Sequence, residues 1–255
     1  MNSNFNKKKI NFFPSPKVIK YLIIFVFFSL IFILIYNELK NKERFNNIIQ
    51  NISEKFNYKF SNYEINTLNR VDKIEVLKII NEYLDQSIFL ISLNDISNSL
   101  HDLNWVKGVN LSTNLKNKIN IEIFEYIPIG LFFYNNQLFY FSREGKIIEK
   151  YTEKINENFI IFYGIQVLKK ANDFLISLGK LEDKNIPSIK EAYYINERRW
   201  DIKLHNDILI NLSEKNIEES INNYIKLIEK FNDSEISSIK NIDLRNNEKA
   251  IISFK

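Results

Sequence analysis

Residues 118–130 read Lys118-Ile119-Asn120-Ile121-Glu122-Ile123-Phe124-Glu125-Tyr126-Ile127-Pro128-Ile129-Gly130. Ile119, Ile121 and Ile123 alternate with Asn120, Glu122 and Phe124. Strand side chains point to opposite faces in turn, so this segment predicts a half-buried strand. Pro128 has no N–H to give to a ladder, which predicts a break just beyond Glu125 and a new unit after it.

Working back from this strand, Asn114 to Asn117 is a turn and Val106 to Ser112 reads as its partner strand. Ser92 and Asp95 form a capping pattern before Ile96, Leu100 and Leu103, and Asn104-Trp105-Val106 ends that helix. Asp72 and Glu75 make the same pattern before Ile74, Leu77 and Ile80–Leu84, the expected apolar stripe of an earlier helix. Tyr63 and Ile65 alternate as a short first strand. The predicted order is β-α-α-β-β over 58–125. Trp105 is expected to pack in the core where helix meets strand, with a partner contact as the alternative, and no functional role is needed for Glu125.

Working forward, residues 126–255 are rich in strand signals. Leu131 to Tyr134 and Leu138 to Phe141 flank Asn135-Asn136-Gln137, a hairpin signal. Ile147-Ile148 follows a turn at 143–146. Gly164 to Leu178 has helical spacing closed by Gly179, and Ile217 to Phe231 is amphipathic. Tyr193 to Leu204 is expected as one strand, joined at His205-Asn206-Asp207 to another over Ile208 to Leu212. Ile239 to Leu244 and Ala250 to Phe254 form a last pair. The fold class is α+β.

Ahead of all this, Tyr21 to Tyr36 holds no charged residue. As a helix it spans roughly 24 Å, and Val18 and Ile19, with Lys20 snorkelling, extend it to a bilayer core. A cleaved signal peptide is the alternative, but no small-residue cleavage pattern follows the apolar run. Five Lys precede the span; Lys40, Lys42, Arg44 and Lys55 follow it. The division expected is a cytoplasmic tail (1–17), a transmembrane helix (18–36), a helical stalk (37–57), the β-α-α-β-β domain (58–125) and a β-rich domain (126–255).

Charge excludes several functions. Residues 1–37 carry five Lys and no acid, leaving 30 basic against 31 acidic residues in the rest. A nearly neutral ectodomain offers no basic face for nucleic acid. There is no Cys, so no disulfide or thiol chemistry. The two histidines, His101 and His205, fall in different domains and form no ligand set for a metal. No phosphate-binding glycine loop or nucleophile motif is present. The expectation is no catalysis, no metal, no cofactor and no small-molecule substrate.

Four segments together resemble the FtsQ/DivIB family of cell-division proteins. Leu100-His101-Asp102-Leu103-Asn104-Trp105-Val106-Lys107 is similar to its L-x-x-x-x-W-V-K. Ile121 to Gly130 resembles I-x-V-x-E-x-x-P-I-A. Arg198-Arg199-Trp200-Asp201-Ile202-Lys203-Leu204-His205-Asn206-Asp207-Ile208 resembles R-R-W-x-L-x-L-x-N-G/D-I. Asn241-Ile242-Asp243-Leu244-Arg245 is like V-D-L-R. The chain departs from the pattern at Asp207, usually Gly, at Asn246, where an aromatic is expected, and at Phe254, where a tryptophan is expected. The resemblance implies a POTRA domain over 58–125, an FtsQ-type β domain over 126–255, and residence in the inner membrane with the large domain in the periplasm, enriched at the septum.

It also implies a non-catalytic divisome scaffold that binds FtsB, in complex with FtsL, and links early to late division proteins. The alternative is a POTRA-bearing accessory for outer-membrane protein assembly or secretion. The partner-binding positions implied are Asn246, Glu248, Lys249, Ala250, Ile251, Ile252, Ser253 and Phe254, supported by Arg198 and Arg199. Independently of family, Ala250 to Phe254 has high strand propensity, and a strand at a sheet margin can template a second chain. A buried strand, paired on both sides, is the competing reading.

Overall fold

The computed structural model describes residues 16–40, 42–152, 158–180, 187–246 and 248–255. The expected tail at 1–17 falls, through residue 15, outside them. In chain order the elements are α1 (Pro16–Lys40), α2 (Lys42–Phe56), β1 (Asn62–Ile65), α3 (Lys73–Asn81), α4 (Leu93–His101), β2 (Val106–Thr113), β3 (Lys118–Glu125), β4 (Pro128–Tyr134), β5 (Gln137–Ser142) and β6 (Ile147–Lys150). There follow β7 (Ile161–Tyr163), α5 (Val167–Gly179), β8 (Ile189–Ile195), β9 (Arg199–Leu204), β10 (Leu209–Asn211), α6 (Ile217–Ile228), α7 (Asp233–Ser238), β11 (Ile239–Asn246) and β12 (Lys249–Phe254). The fold is α+β. Contacts group the chain into two compact units: Met1–Ile65, Leu77–Ile96 and Leu111–Ile121 in one, Asn66–Val76, Ser97–Asn110 and Glu122–Lys255 in the other.

In the first unit, α1 carries a stretch, Lys17–Tyr36, with a mean hydropathy of 2.9 and nothing packed over it. Its 20 residues span about 30 Å, the thickness of a hydrocarbon core. This fits a single-pass membrane anchor. α2 is tied to the loop after α3. Gln50 donates to Asp85 O (2.9 Å) and accepts from Ser87 N (2.7 Å), and the Ser53 and Ser87 hydroxyls meet at 2.6 Å.

The smaller sheet has the order β1-β3-β2, with β1 parallel to β3 from Asn62↔Lys118 to Ile65↔Ile121. Ile119, Ile121 and Ile123 are buried, as their alternation predicts. Asn114 explains the β2–β3 turn: its Oδ1 accepts from the N–H groups of Lys116, Asn117 and Lys118. Ser92 Oγ accepts from Asp95 N at the start of α4, and Ile96 and Leu100 are fully buried. The expected stripe of α3 needs correction. Asp72 caps the helix through Ile74 N (2.8 Å), but Ile74 itself is exposed. Val76 and Ile80, four residues apart on one face, turn inward instead.

The larger sheet has nine strands in the order β12-β11-β10-β9-β8-β7-β4-β5-β6. Helices α5 and α6 send Val167, Ala171, Phe174 and Leu178, and Ile221 and Tyr224, into one core with Phe162, Trp200, Ile202, Ile210 and Ile242. Trp200 stacks on Phe174 with ring centroids 4.5 Å apart. Asn135 and Asn136 take positive φ (46° and 58°), forming the tight turn expected between β4 and β5. The continuous strand expected over 193–204 is instead a hairpin. Asn196 and Glu197 take positive φ (50° and 54°), and β8 folds back on β9 with Ala192 opposite Ile202. The turn lets both residues enter the core, where each is fully buried.

Candidate functional site

β12 forms one margin of the nine-stranded sheet. It pairs antiparallel with β11, with Ile242↔Ile252 and Asp243↔Ile251 in register, and no described strand lies on its other side. Lys255 N donates to Ser238 O across this ladder (2.8 Å). Alternation along an antiparallel strand then turns the N–H groups of Ile252 and Phe254 to the open side. Ile252 packs partly against the core, whereas Ile251 and Phe254 are 64% and 54% exposed. Ala250, Lys249 and Glu248 are exposed too, and Ser253 lies opposite Asn241. Asn246 Oδ1 accepts from Glu248 N (2.9 Å), shaping the approach to the strand. Backbone groups along one side of β12 are therefore available, flanked by apolar side chains.

Arg198 and Arg199 stand apart from this margin. Arg198 lies in the β8–β9 turn and pairs with Glu214 (3.1 Å); Arg199 opens β9 and pairs with Asp201 (3.3 Å). β10 and β11 separate them from β12. The registers place Asp201, Asn211, Asp243 and Ile251 side by side across β9 to β12. Asp243 accepts from Arg245 N and Nε at 3.0 and 2.9 Å within β11. Its carboxyl is held below the usual carboxylate range, chiefly by the Arg245 side chain against the opposing effect of burial, with Arg199 adding a weaker attraction. The two arginines thus compensate acids on the sheet surface, and a charge row leads from Arg199 toward the open strand.

Near the opposite margin, β6, side chains from the 66–76 and 97–110 segments pack on the sheet. Trp105, 7% exposed, packs on Tyr140 of β5 with centroids 5.3 Å apart, and its Nε1–H donates to Glu149 on β6. The Arg70 guanidinium lies 5.0 Å from the Trp105 ring and 5.7 Å from Tyr140. Arg70 is placed by Glu125, whose carboxylate accepts from the N–H groups of Asn69, Arg70 and Val71 at 2.8–3.1 Å. Burial would raise the Glu125 pKa, but these backbone donors outweigh it and hold the group below its ordinary value. Beside it, Lys107 pairs with Glu144 (2.7 Å) and pulls that carboxyl down to about 2. No sequence signal marked Glu125 as the clamp of the 69–71 loop, because its partners are backbone groups more than fifty residues away.

Among the described residues no group of His, Asp or Glu could hold a metal ion. A cleft lined by Asn66, Arg70, Lys107, Phe124, Glu125 and Ile127 has as its carboxylate the same Glu125 that is occupied with backbone donors.

Comparison with known proteins agrees with this architecture. A family profile described as POTRA domain, FtsQ-type, matches residues 59–126, and one described as Cell division protein FtsQ/DivIB, C-terminal, matches residues 133–245. The cell division protein FtsQ of Rickettsia typhi is 32% identical over 208 residues, covering 80% of this chain and 76% of that one. The chain belongs to the FtsQ/DivIB family of cell division proteins. Within that family, FtsQ of Rickettsia bellii is 32% identical over 81% of this chain and 76% of its own, and FtsQ of Escherichia coli is 25% identical over 49% and 45%. The FtsQ/DivIB profile ends at residue 245, so β12, the strand with the open side, falls beyond the matched segment.

Proposed function

We propose that this FtsQ-family protein is a non-catalytic divisome scaffold that acts by strand addition at β12. α1 anchors it in the inner membrane, with the large C-terminal part in the periplasm at the division septum. A segment of FtsB, in complex with FtsL, adds a tenth strand to the nine-stranded sheet. Main-chain hydrogen bonds supply affinity, and the side chains of Ala250 to Phe254 supply specificity. The POTRA part, residues 58–125, receives upstream division proteins. The work done is positional: binding energy localises the partners that control septal peptidoglycan synthesis, and no covalent bond is made or broken.

The observation that carries this reading is the open side of β12. A six-residue strand with exposed Ile251 and Phe254 and free ladder groups is an aggregation hazard unless it has a partner. Arg199 and Arg245 are both paired with acids of their own strands, Asp201 and Asp243, so main-chain bonding rather than a free cation recognises the incoming strand.

Depletion in the native cell tests the role. Cells are expected to grow as filaments, and a fluorescent fusion to sit at midcell. A photo-crosslinking residue at Phe254 is expected to capture FtsB. Normal division with misassembled outer-membrane proteins would instead support a POTRA-bearing assembly accessory.

A further inference from the structure

Helix α2 packs inward through Gln50 and Ser53, with Ile49 alone of its apolar residues half-buried beside them. Gln50 and Ser53 make the contacts with Asp85 and Ser87, while Phe45, Ile48, Ile52 and Phe56 form a stripe at helical spacing that is 37–58% exposed. An ordinary surface helix does the reverse and buries its apolar stripe. The charges are sorted too. At 100° per residue Lys42 falls at one border of the stripe and Arg44 and Lys55 at the other, while Glu43 and Glu54 lie on the far side. The Lys55 ammonium sits 5.9 Å from the Phe56 ring. α2 begins two residues after α1 ends and six after the apolar stretch Lys17–Tyr36, so its first turn lies close to the end of the membrane span.

We propose that α2 lies in the headgroup layer of the bilayer crossed by α1, with its apolar stripe inserted and its bordering cations on anionic phospholipid. Apolar residues at the acyl boundary and Lys or Arg at the margins are the features of an interfacial helix. The bilayer is favoured over a protein partner because the first turn of α2 lies within a few residues of the span, and Lys and Arg bordering an apolar stripe suit anionic headgroups. The bonds from Gln50 and Ser53 to the 85–87 loop then hold that domain down on the membrane, so the helix sets the height at which the domain rides. This inference needs α1 to span the bilayer and is independent of what β12 binds.

The chain has no cysteine, so single labels are clean. An environment-sensitive dye would be placed at Cys in F45C, I48C, I52C and F56C, with N47C and N51C as exposed controls, in full-length protein in nanodiscs at one copy per disc. With phosphatidylethanolamine and phosphatidylglycerol, spin-labelled lipid is expected to quench the four stripe positions roughly threefold more than the controls. Pure phosphatidylcholine discs are expected to reduce that contrast. Equal quenching at stripe and control sites would overturn the proposal. So would stripe labels shielded from both lipid and aqueous quenchers, which means a protein cover. An undiminished contrast in phosphatidylcholine would overturn the anionic component. The double variant I48N/I52N, changed only at exposed positions, is expected to keep the melting temperature of the parent and lose the lipid quenching of a dye at F45C; quenching that persists counts against insertion.

Discussion

The two margins of the nine-stranded sheet carry the same dipeptide and meet opposite fates. β6 contains Ile147-Ile148 and β12 contains Ile251-Ile252. β6 is four residues long, places Glu149 and Lys150 at its end, and receives the Trp105 Nε1–H on Glu149 with Arg70 stacked behind. β12 is six residues long and leaves Ile251 and Phe254 exposed. Strand propensity is thus a poor guide to edge behaviour. A margin is safe when it is short, charged or covered, and available when it is none of these. In this molecule Trp105 and Arg70 pack beside the short β6, on Tyr140 and Glu149, whereas no such side-chain contacts are seen among the described residues at the longer β12.

The largest effect is expected at the covered end. Trp105→Ala removes a buried ring from against Tyr140 and leaves Glu149 without its indole donor. Truncations of this kind cost about 3–5 kcal/mol, read as a drop in the denaturation midpoint. Binding at β12 should be unchanged at temperatures where the variant is folded. If stability barely moved, the covered margin would not depend on Trp105 and the contrast between the edges would fail.

The next effect belongs to the open end and should appear in binding. Ile252→Pro deletes an N–H on the unpaired side of β12, where an edge strand tolerates proline. Because Ile252 also touches the core, Ile252→Ala is the reference: it loses that packing and keeps the donor. Relative to Ile252→Ala, Ile252→Pro is expected to weaken FtsB binding by about 2 kcal/mol, roughly thirtyfold, with a similar melting temperature. Equal affinities for the two variants would rule out a ladder hydrogen bond at this position.

Local rules were enough for much of this architecture. The alternation of Ile119, Ile121 and Ile123, the Ser92–Asp95 cap and the Asn135-Asn136 turn are each encoded within a few residues, and each formed as read. The Asn196-Glu197 turn contains no glycine, and Glu at positive φ is uncommon, so the sequence reads as one continuous strand through Arg199-Trp200. The Asp72 cap of α3 is legible locally, but whether Ile74 or Val76 turns inward is decided by what the rest of the chain packs against the helix. The resemblance names Arg198 and Arg199 as supporting positions, and strand order puts β10 and β11 between them and β12. Order within a sheet is decided by long-range packing, and no periodicity carries it.

The smallest effect lies one step behind the covered margin and shows how it is held. Glu125 fixes Asn69 to Val71 through backbone donors, and this sets Arg70 over Trp105. A carboxylate whose folded pKa lies below its unfolded value stabilises the fold above that unfolded value, near 4.5, and loses the contribution as pH falls through the folded pKa. Glu125→Gln keeps the shape and removes the charge. It should cost about 1 kcal/mol at pH 7, and the gap between variant and parent should close on acidification below pH 4.5, which urea titrations at several pH values would resolve. The subtraction cancels every other carboxylate common to both proteins. A gap independent of pH would mean that Glu125 acts through shape alone, leaving Trp105 positioned by packing without help from the loop charge.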